Sequence, residues 1–506
     1  MRAKNVFRNI LTNLLLQAVV IMYGFIVPKI IIENFGSDVN GLVNSITQFL
    51  SYISLFESGF GVVVKAIFYK PIAKKDKKTI ASIIKTSEKF FRRIALIFIV
   101  YIVMLCAIFP CIVGSNFSAI FTISLIIAIA MSTFSEYFFG MAYRLFLQAN
   151  QKIYVVSIIQ TITYFLGIIA IIICALVNAD IIIIELVMGA IFAVRPVIQN
   201  LYIKKKYNID FRDVSDDYPI KQKWAGLAQH IAWMIHSSTD VVVLTLFTNL
   251  VEVSVYSVYR LVIMAIRKII LSFNNGIDSS FGDMIAKKEE ENLKKKFSLY
   301  ELIFLVVATI LFVSTILLIS PFVSVYTKGV MDADYVRPLF GFLLVLGEYI
   351  SAVRMPYNSI VHAAGHFKET KRGAWLEAII NITLSIALVF NFGLVGVAIG
   401  TTVAMFIRTV EFVYHANKYV LHRSVKNSVG KIFVAIMITT ISSIVWFSII
   451  HISLPTNYLE WILEAVMVFL TISSITILSY CIFYRKEMKD ALVFLRKMLG
   501  RKGENR

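Results

Sequence analysis

The chain has 506 residues, of which 58% are apolar and only 16% charged, and its mean hydropathy is +0.78; soluble domains hold roughly 45–50% apolar and 25% charged residues. Apolar runs follow one another so closely that no segment between them can build a core of its own, which excludes a soluble enzyme. The net charge of +19 does not signal nucleic acid, because the basic residues sit in short loops between apolar stretches, where they set topology.

The first apolar run follows Met1-Arg2-Ala3-Lys4 and reaches about Ile32. It is too long for a signal-peptide core and lacks a small-x-small cleavage site, so it is expected to remain as the first span. A helix crosses the bilayer core with about 20 apolar residues, and on that template about fourteen spans are predicted. They begin near residues 11, 41, 90, 118, 153, 180, 224, 252, 297, 335, 373, 393, 430 and 457. The fold class is therefore all-α integral membrane. Cys106, Cys111, Cys174 and Cys481 all lie inside apolar runs without CxxC spacing, which indicates neither a disulfide framework nor a zinc site.

The loops fix orientation. Lys70 to Arg93, Lys204 to Lys223, Lys287 to Lys296, Lys368 to Arg372, Lys418 to Lys431 and the tail after Arg485 are basic, whereas Glu33 to Asn40, Gly114 to Ser118, Asn178 to Asp180 and Thr248 to Glu252 are short and nearly free of Lys and Arg. By the positive-inside rule about forty of the basic side chains, and both termini, are cytoplasmic. The tail reads as a short basic amphipathic helix on the anionic leaflet.

An internal repeat organises the spans. Span two and its loop carry Glu57-Ser58-Gly59-Phe60-Gly61, Lys65 and Ala73-Lys74-Lys75; span eight and its loop carry Asn274-Asn275-Gly276, Asp278 and Ala286-Lys287-Lys288. Ala73 and Ala286 stand 213 residues apart, Glu136 and Glu348 stand 212 apart, and Arg195 and Arg408 again 213. An offset of six spans keeps both halves in one orientation, a parallel repeat about the membrane normal. The expected organisation is an N-lobe over 1–215, a C-lobe over 216–427, two further spans over 428–485 and a basic tail over 486–506. Gly59, Gly61 and Gly276 interrupt the matched spans and suit either a hinge at a binding site or close helix packing.

Charges inside spans cost at least about 3 kcal/mol at the bilayer centre and need a water-filled cavity or a partner. Arg260 and Arg267 stand seven residues apart on one face of span eight, with Lys268 beside them. Lys65 lies about two turns past Glu57. Lys29 and Arg354 suit either a cavity or an interfacial anchor. Cations facing one cavity attract an anion, and arginine forks suit phosphate oxygens. The embedded acids Glu57, Glu136, Asp240 and Glu348 suit either ion coupling or charge balance for neighbouring cations, and charge balance is the stronger reading. His362 and His366 stand four apart without an acidic or Cys ligand beside them, so no metal site is expected. The chain carries no Walker A loop.

Phe35-Gly36-Ser37-Asp38-Val39-Asn40-Gly41-Leu42, Gln48-Phe49-Leu50-Ser51-Tyr52 and Glu57-Ser58-Gly59-Phe60-Gly61 resemble segments of polysaccharide (Wzx-type) flippases from Gram-positive capsule and teichoic-acid loci. These belong to the multidrug/oligosaccharidyl-lipid/polysaccharide (MOP) exporter superfamily, and the resemblance covers nearly the whole chain. It implies a MATE-like fold of two six-helix lobes plus two C-terminal helices, in the bacterial cytoplasmic membrane. The implied activity is alternating-access transfer of an undecaprenyl-diphosphate-linked oligosaccharide to the outer leaflet. Lys65, Arg260 and Arg267 would line the cationic cavity, and the last two spans would form a groove for the lipid tail. The implied protein is a functional monomer without cofactor or metal that does not bind nucleic acid. Its implied partners are the lipid-linked oligosaccharide, membrane lipids, a polysaccharide polymerase and glycosyltransferases. Related lipid II flippases carry arginines in span one, where this sequence has Lys29, and related cation-coupled multidrug exporters use an acidic residue there, where none precedes Glu33. Both remain alternative readings.

Overall fold

The computed structural model describes residues 2–500 except 208, 210, 212, 213, 216, 221–226, 275, 276 and 450–453, and all regular structure among them is helical. The helices are α1 (Arg2–Phe35), α2 (Ser37–Ser51), α3 (Leu55–Lys74), α4 (Lys77–Val113), α5 (Ala119–Ser135), α6 (Met141–Ala149), α7 (Ile153–Leu176), α8 (Ile181–Tyr207) and α9 (Leu227–Phe247). They continue with α10 (Leu250–Asn274), α11 (Ile277–Ala286), α12 (Glu290–Tyr326), α13 (Pro338–Ala363), α14 (Lys371–His415), α15 (Lys426–Ile449), α16 (Tyr458–Phe483) and α17 (Arg485–Gly500). Among the described residues, ten helical stretches are long and apolar enough to cross a membrane. The chain is thus built as a multi-pass membrane protein.

Local chemistry sets several of these boundaries. Asp76, Ser118 and Asn457 cap α4, α5 and α16 by accepting from the backbone N–H of Thr79, Phe121 and Glu460. α14 is one helix on paper, but Gly393 inside it has φ 52° and ψ −129°, a conformation that only glycine adopts without strain. That break falls where the sequence places the start of a separate span. Of the two spans that the repeat matches, span two is built in pieces, α2 and α3 joined by a 3₁₀ turn at Tyr52–Ser54. In span eight α10 and α11 flank residues 275 and 276, and the expected interruption at Gly276 lies outside the described residues. α3 runs unbroken through Gly59 and Gly61, so the irregular turn in span two lies ahead of those glycines.

Two compact units emerge, residues 1–257 and 258–506. In the first, α1 packs on α7, α5 and α7 on α8, and α3 on α4 and α6, while α9 packs on α2 and α3. Phe60, Phe68, Phe91, Phe98 and Phe146 are fully buried at its centre. In the second, α12 is the hub, touching α13, α15, α16 and α17. Some 67% of its most apolar stretch is buried, against 22% for α16. α16 instead turns Leu459, Leu463, Val466, Leu470 and Leu478 outward, which is stable only against lipid.

Candidate functional site

Each unit carries intramembrane charges, and their partners separate structural groups from free ones. In the first unit Glu57, on α3, accepts a hydrogen bond from the Tyr137 hydroxyl (3.1 Å). Glu136 opens a π-helical turn, Glu136–Gly140, that joins α5 to α6, a distortion frequent at functional positions. Its carboxylate stands 3.4 Å from Arg144 of α6. Lys65 lies two turns along α3 from Glu57, half-buried, and has no acidic partner among the described residues. Lys29 pairs with Glu33 at 2.9 Å, one turn on along α1, and both are partly exposed. That is the geometry of an interfacial anchor. Asp240 on α9 is buried and accepts from the Tyr256 hydroxyl at 3.0 Å.

In the second unit Arg260, Arg267 and Lys268 follow one another along α10, all half-buried. Arg267 donates from Nη1 to both oxygens of Glu348 on α13, at 3.3 and 3.4 Å. Lys268 has no acidic partner among the described residues. Arg354, also on α13, is held by Glu377 of α14 at 2.8 Å. Glu377 in turn lies 3.6 Å from Arg408, and Arg408 also binds Glu411 and the Thr370 carbonyl. This network closes around Gly373, where a Cβ would run into Glu411 and Arg408. Arg354 is therefore tied into a helix-to-helix brace.

The paired acids divide by partner. Glu136 and Glu348, matched by the repeat, each face an arginine, on neighbouring α6 in one unit and on α10 in the other. Each is followed by a buried tyrosine, and the Tyr349 hydroxyl meets Thr309 at 2.6 Å. Glu57 and Asp240 each accept a hydrogen bond from a tyrosine hydroxyl.

Two features escape a reading of the sequence. Glu301, in the middle of the apolar helix α12, is fully buried and binds Arg423 (2.8 Å) and Lys431 (2.9 Å), with Ser428 and Tyr357 completing its shell. Arg423 and Lys431 lie in a stretch that the loop pattern assigns to the cytoplasmic surface, and only the fold brings them to a carboxylate more than 120 residues away. The second is an apolar groove of about 720 Å³ in the second unit, lined by Leu346 and Val353 of α13, Phe406 and Val410 of α14, and Ile432 and Ile436 of α15. α15 is one of the two spans expected to hold a lipid tail; its companion α16 packs on α12.

No family model matches the chain, and no curated protein matches it by sequence. Solved structures do match. The lipid II flippase MurJ in an inward closed conformation superposes with a TM-score of 0.69 at 14% identity, covering 95% of this chain and 99% of that one. An inward-facing multidrug resistance MATE transporter of the MOP superfamily gives 0.59 at 13% identity, covering 79% and 94%. A Pyrococcus furiosus transporter of the same superfamily, described as having a binding pocket of reverse polarity, gives 0.54 at 14% identity, covering 84% and 97%. The chain has the all-helical fold shared by MurJ and the MATE transporters, the fold of the MOP superfamily.

Proposed function

We propose that the protein is a flippase that moves an anionic polyprenyl-diphosphate-linked oligosaccharide from the cytoplasmic to the outer leaflet. The observation that carries this reading is the surplus of positive charge inside the spans. Lys65 and Lys268 are half-buried without an acidic partner among the described residues, while Glu136 and Glu348 are already committed to arginines. Unpaired intramembrane cations are costly unless an anion occupies their site for part of the cycle. A cationic drug gains nothing from them. The groove beside α15 suits an isoprenoid chain, since its lining is apolar and its volume is about 720 Å³.

Energetics favour the direction. A headgroup with about two negative charges that leaves the inside-negative cytoplasm gains roughly 2.3 kcal/mol per charge per 100 mV if it travels unneutralised. The membrane potential then supplies the drive, and Glu57 and Asp240 balance charge without serving an ion gradient. Lipid II is the alternative cargo of the same chemical class. Against it stands Lys29, the one cation of α1 beyond Arg8, because it is engaged by Glu33.

The test is reconstitution into liposomes with a fluorescent polyprenyl-diphosphate oligosaccharide and a membrane-impermeant quencher. Potential-dependent exposure of the label supports the reading. Equal exposure in protein-free liposomes, with transport of cationic dyes instead, contradicts it.

A further inference from the structure

The last membrane helix ends in an elbow. α16 turns Ile482 and Phe483 outward among its lipid-facing side chains, Tyr484 departs from helical geometry at φ −130° and ψ 43°, and α17 begins at Arg485. The inner side of this elbow grips α15 at one spot. The Tyr480 hydroxyl donates to the Lys431 carbonyl at 3.0 Å. One turn on, Tyr484 lies against Gly430, where a Cβ would come within 2.7 Å of its hydroxyl. Glu487 then reaches the buried Lys431 ammonium at 3.8 Å, and the same ammonium holds Glu301 at 2.9 Å. Ala491, a further turn along, is buried, and α17 packs on α12 and α16.

The other side of α17 is basic. Residues 484, 487, 488 and 491 fall on the gripping side by helical spacing, and 485, 486, 489, 490 and 493 fall opposite. Arg485, Lys486 and Lys489 are exposed there, and none of them pairs with a carboxylate among the described residues. Asp490 is the one described acid on that side.

Their depth in the membrane follows from the chain. Arg485 comes two residues after the lipid-facing Phe483, and Arg485 to Lys489 spans only about 6 Å of helix. The headgroup layer is itself about 5–8 Å deep on each side of the bilayer. The loop-charge pattern puts this end of α16 at the cytoplasmic leaflet, whose anionic phosphates attract juxtamembrane cations. The gripped end of α15 leads directly into the apolar groove, since Val429, Ile432 and Phe433 on either side of Gly430 and Lys431 line it.

We propose that Arg485, Lys486 and Lys489 form a binding site for the phosphates of anionic phospholipids in the cytoplasmic leaflet, and that the occupied site seats α17 so that Tyr480, Tyr484 and Glu487 hold α15 in place as a wall of the groove. The lipid site stands on this geometry, and its effect on flipping rests on the flippase reading proposed above.

The experiment places the full chain in nanodiscs of phosphatidylcholine, with and without phosphatidylglycerol, and follows amide hydrogen exchange from Lys486 to Ala491. Each Lys or Arg near an anionic surface gains roughly fivefold in affinity, so phosphatidylglycerol should slow exchange about tenfold or more. The effect should vanish in the triple variant Arg485→Gln, Lys486→Gln, Lys489→Gln and weaken at high salt. Equal exchange of the wild type in the two lipid mixtures overturns the site. Flipping of the fluorescent polyprenyl-diphosphate oligosaccharide in liposomes of the same two compositions reads the coupling. The wild type should flip faster with phosphatidylglycerol, whereas Glu487→Gln, which keeps all three cations, should lose that dependence while its α17 remains protected by the lipid. Flipping that ignores phosphatidylglycerol in a wild type whose α17 is protected overturns the coupling. Lipid-dependent protection of α17 without any flipping of lipid-linked oligosaccharide keeps the lipid site and removes the flippase reading, so the two failures are distinguishable.

Discussion

At the scale of single residues, what matters about an intramembrane charge is whom it faces. Lys65 and Lys268 lack an acidic partner among the described residues, whereas Arg354, Arg408 and Arg144 are each tied to a carboxylate. Lys65→Glu and Lys268→Glu should therefore reduce export below about a tenth of the wild-type rate while insertion is retained, because each turns a charge-assisted attraction for a phosphate oxygen into repulsion. Export assays paired with quantification of the inserted protein check this, and normal export in both variants would remove these residues from the path. Glu301 makes the opposite kind of prediction. Glu301→Gln leaves Arg423 buried without its carboxylate and Lys431 with only the more distant Glu487 at 3.8 Å, and should lower stability by about 3 kcal/mol, read as an earlier thermal unfolding transition in detergent. Sequence alone separates these roles poorly. Arg260, Arg267 and Lys268 stand out by their spacing on one helix, but the ties of Arg354 to Glu377 and of Lys431 to Glu301 span different helices, and no local pattern announces them.

At the scale of elements, hydropathy and loop charge carry most of the information, because the backbone of a membrane protein has little choice but helix. The pause at Gly393 and the basic helix α17 correspond to features legible in the sequence. The turn in span two is displaced from Gly59 and Gly61 to Tyr52–Ser54, since glycine within a helix permits a break but does not demand one. The groove was half legible. α15 contributes as expected, but the facing walls are α13 and α14, whose apolar faces look like any other membrane helix in one dimension. Thr440 of α15 lines the groove and is exposed, so Thr440→Trp fills it without disturbing a packed core. That variant should slow flipping of long-chain polyprenyl substrates more than of short-chain analogues in the same liposome assay; equal effects would detach the groove from the lipid tail. The start of α4 offers a pH test outside the spans. Asp76 caps it by accepting from the Thr79 hydroxyl and backbone N–H, which holds its carboxyl below the usual range. Because the folded value is depressed, the cap's contribution is complete at neutral pH and is lost as pH falls through that value. Amide exchange at Thr79 and Ile80 should thus rise on acidification in the wild type but be high and pH-independent, after correction for intrinsic rates, in Asp76→Ala.

For the whole molecule, fold and function stand on different footings. The duplicated pattern at 212 to 213 residues and the run of apolar segments point to a two-lobed transporter, and MurJ and the MATE transporters share its fold at 13–14% identity. That level of likeness carries the architecture alone. The cargo is argued from intramembrane cations that have no acidic partner among the described residues, an apolar groove and an inside-negative membrane potential. The measurement that bears on it most directly is depletion of the protein in its native cell, followed by mass spectrometry of polyprenyl-linked oligosaccharides and leaflet assignment with an impermeant sugar-modifying enzyme. The account predicts accumulation of one lipid-linked oligosaccharide on the cytoplasmic leaflet, inaccessible to the enzyme until the membrane is opened. Unchanged lipid-linked pools together with raised sensitivity to cationic dyes would contradict it.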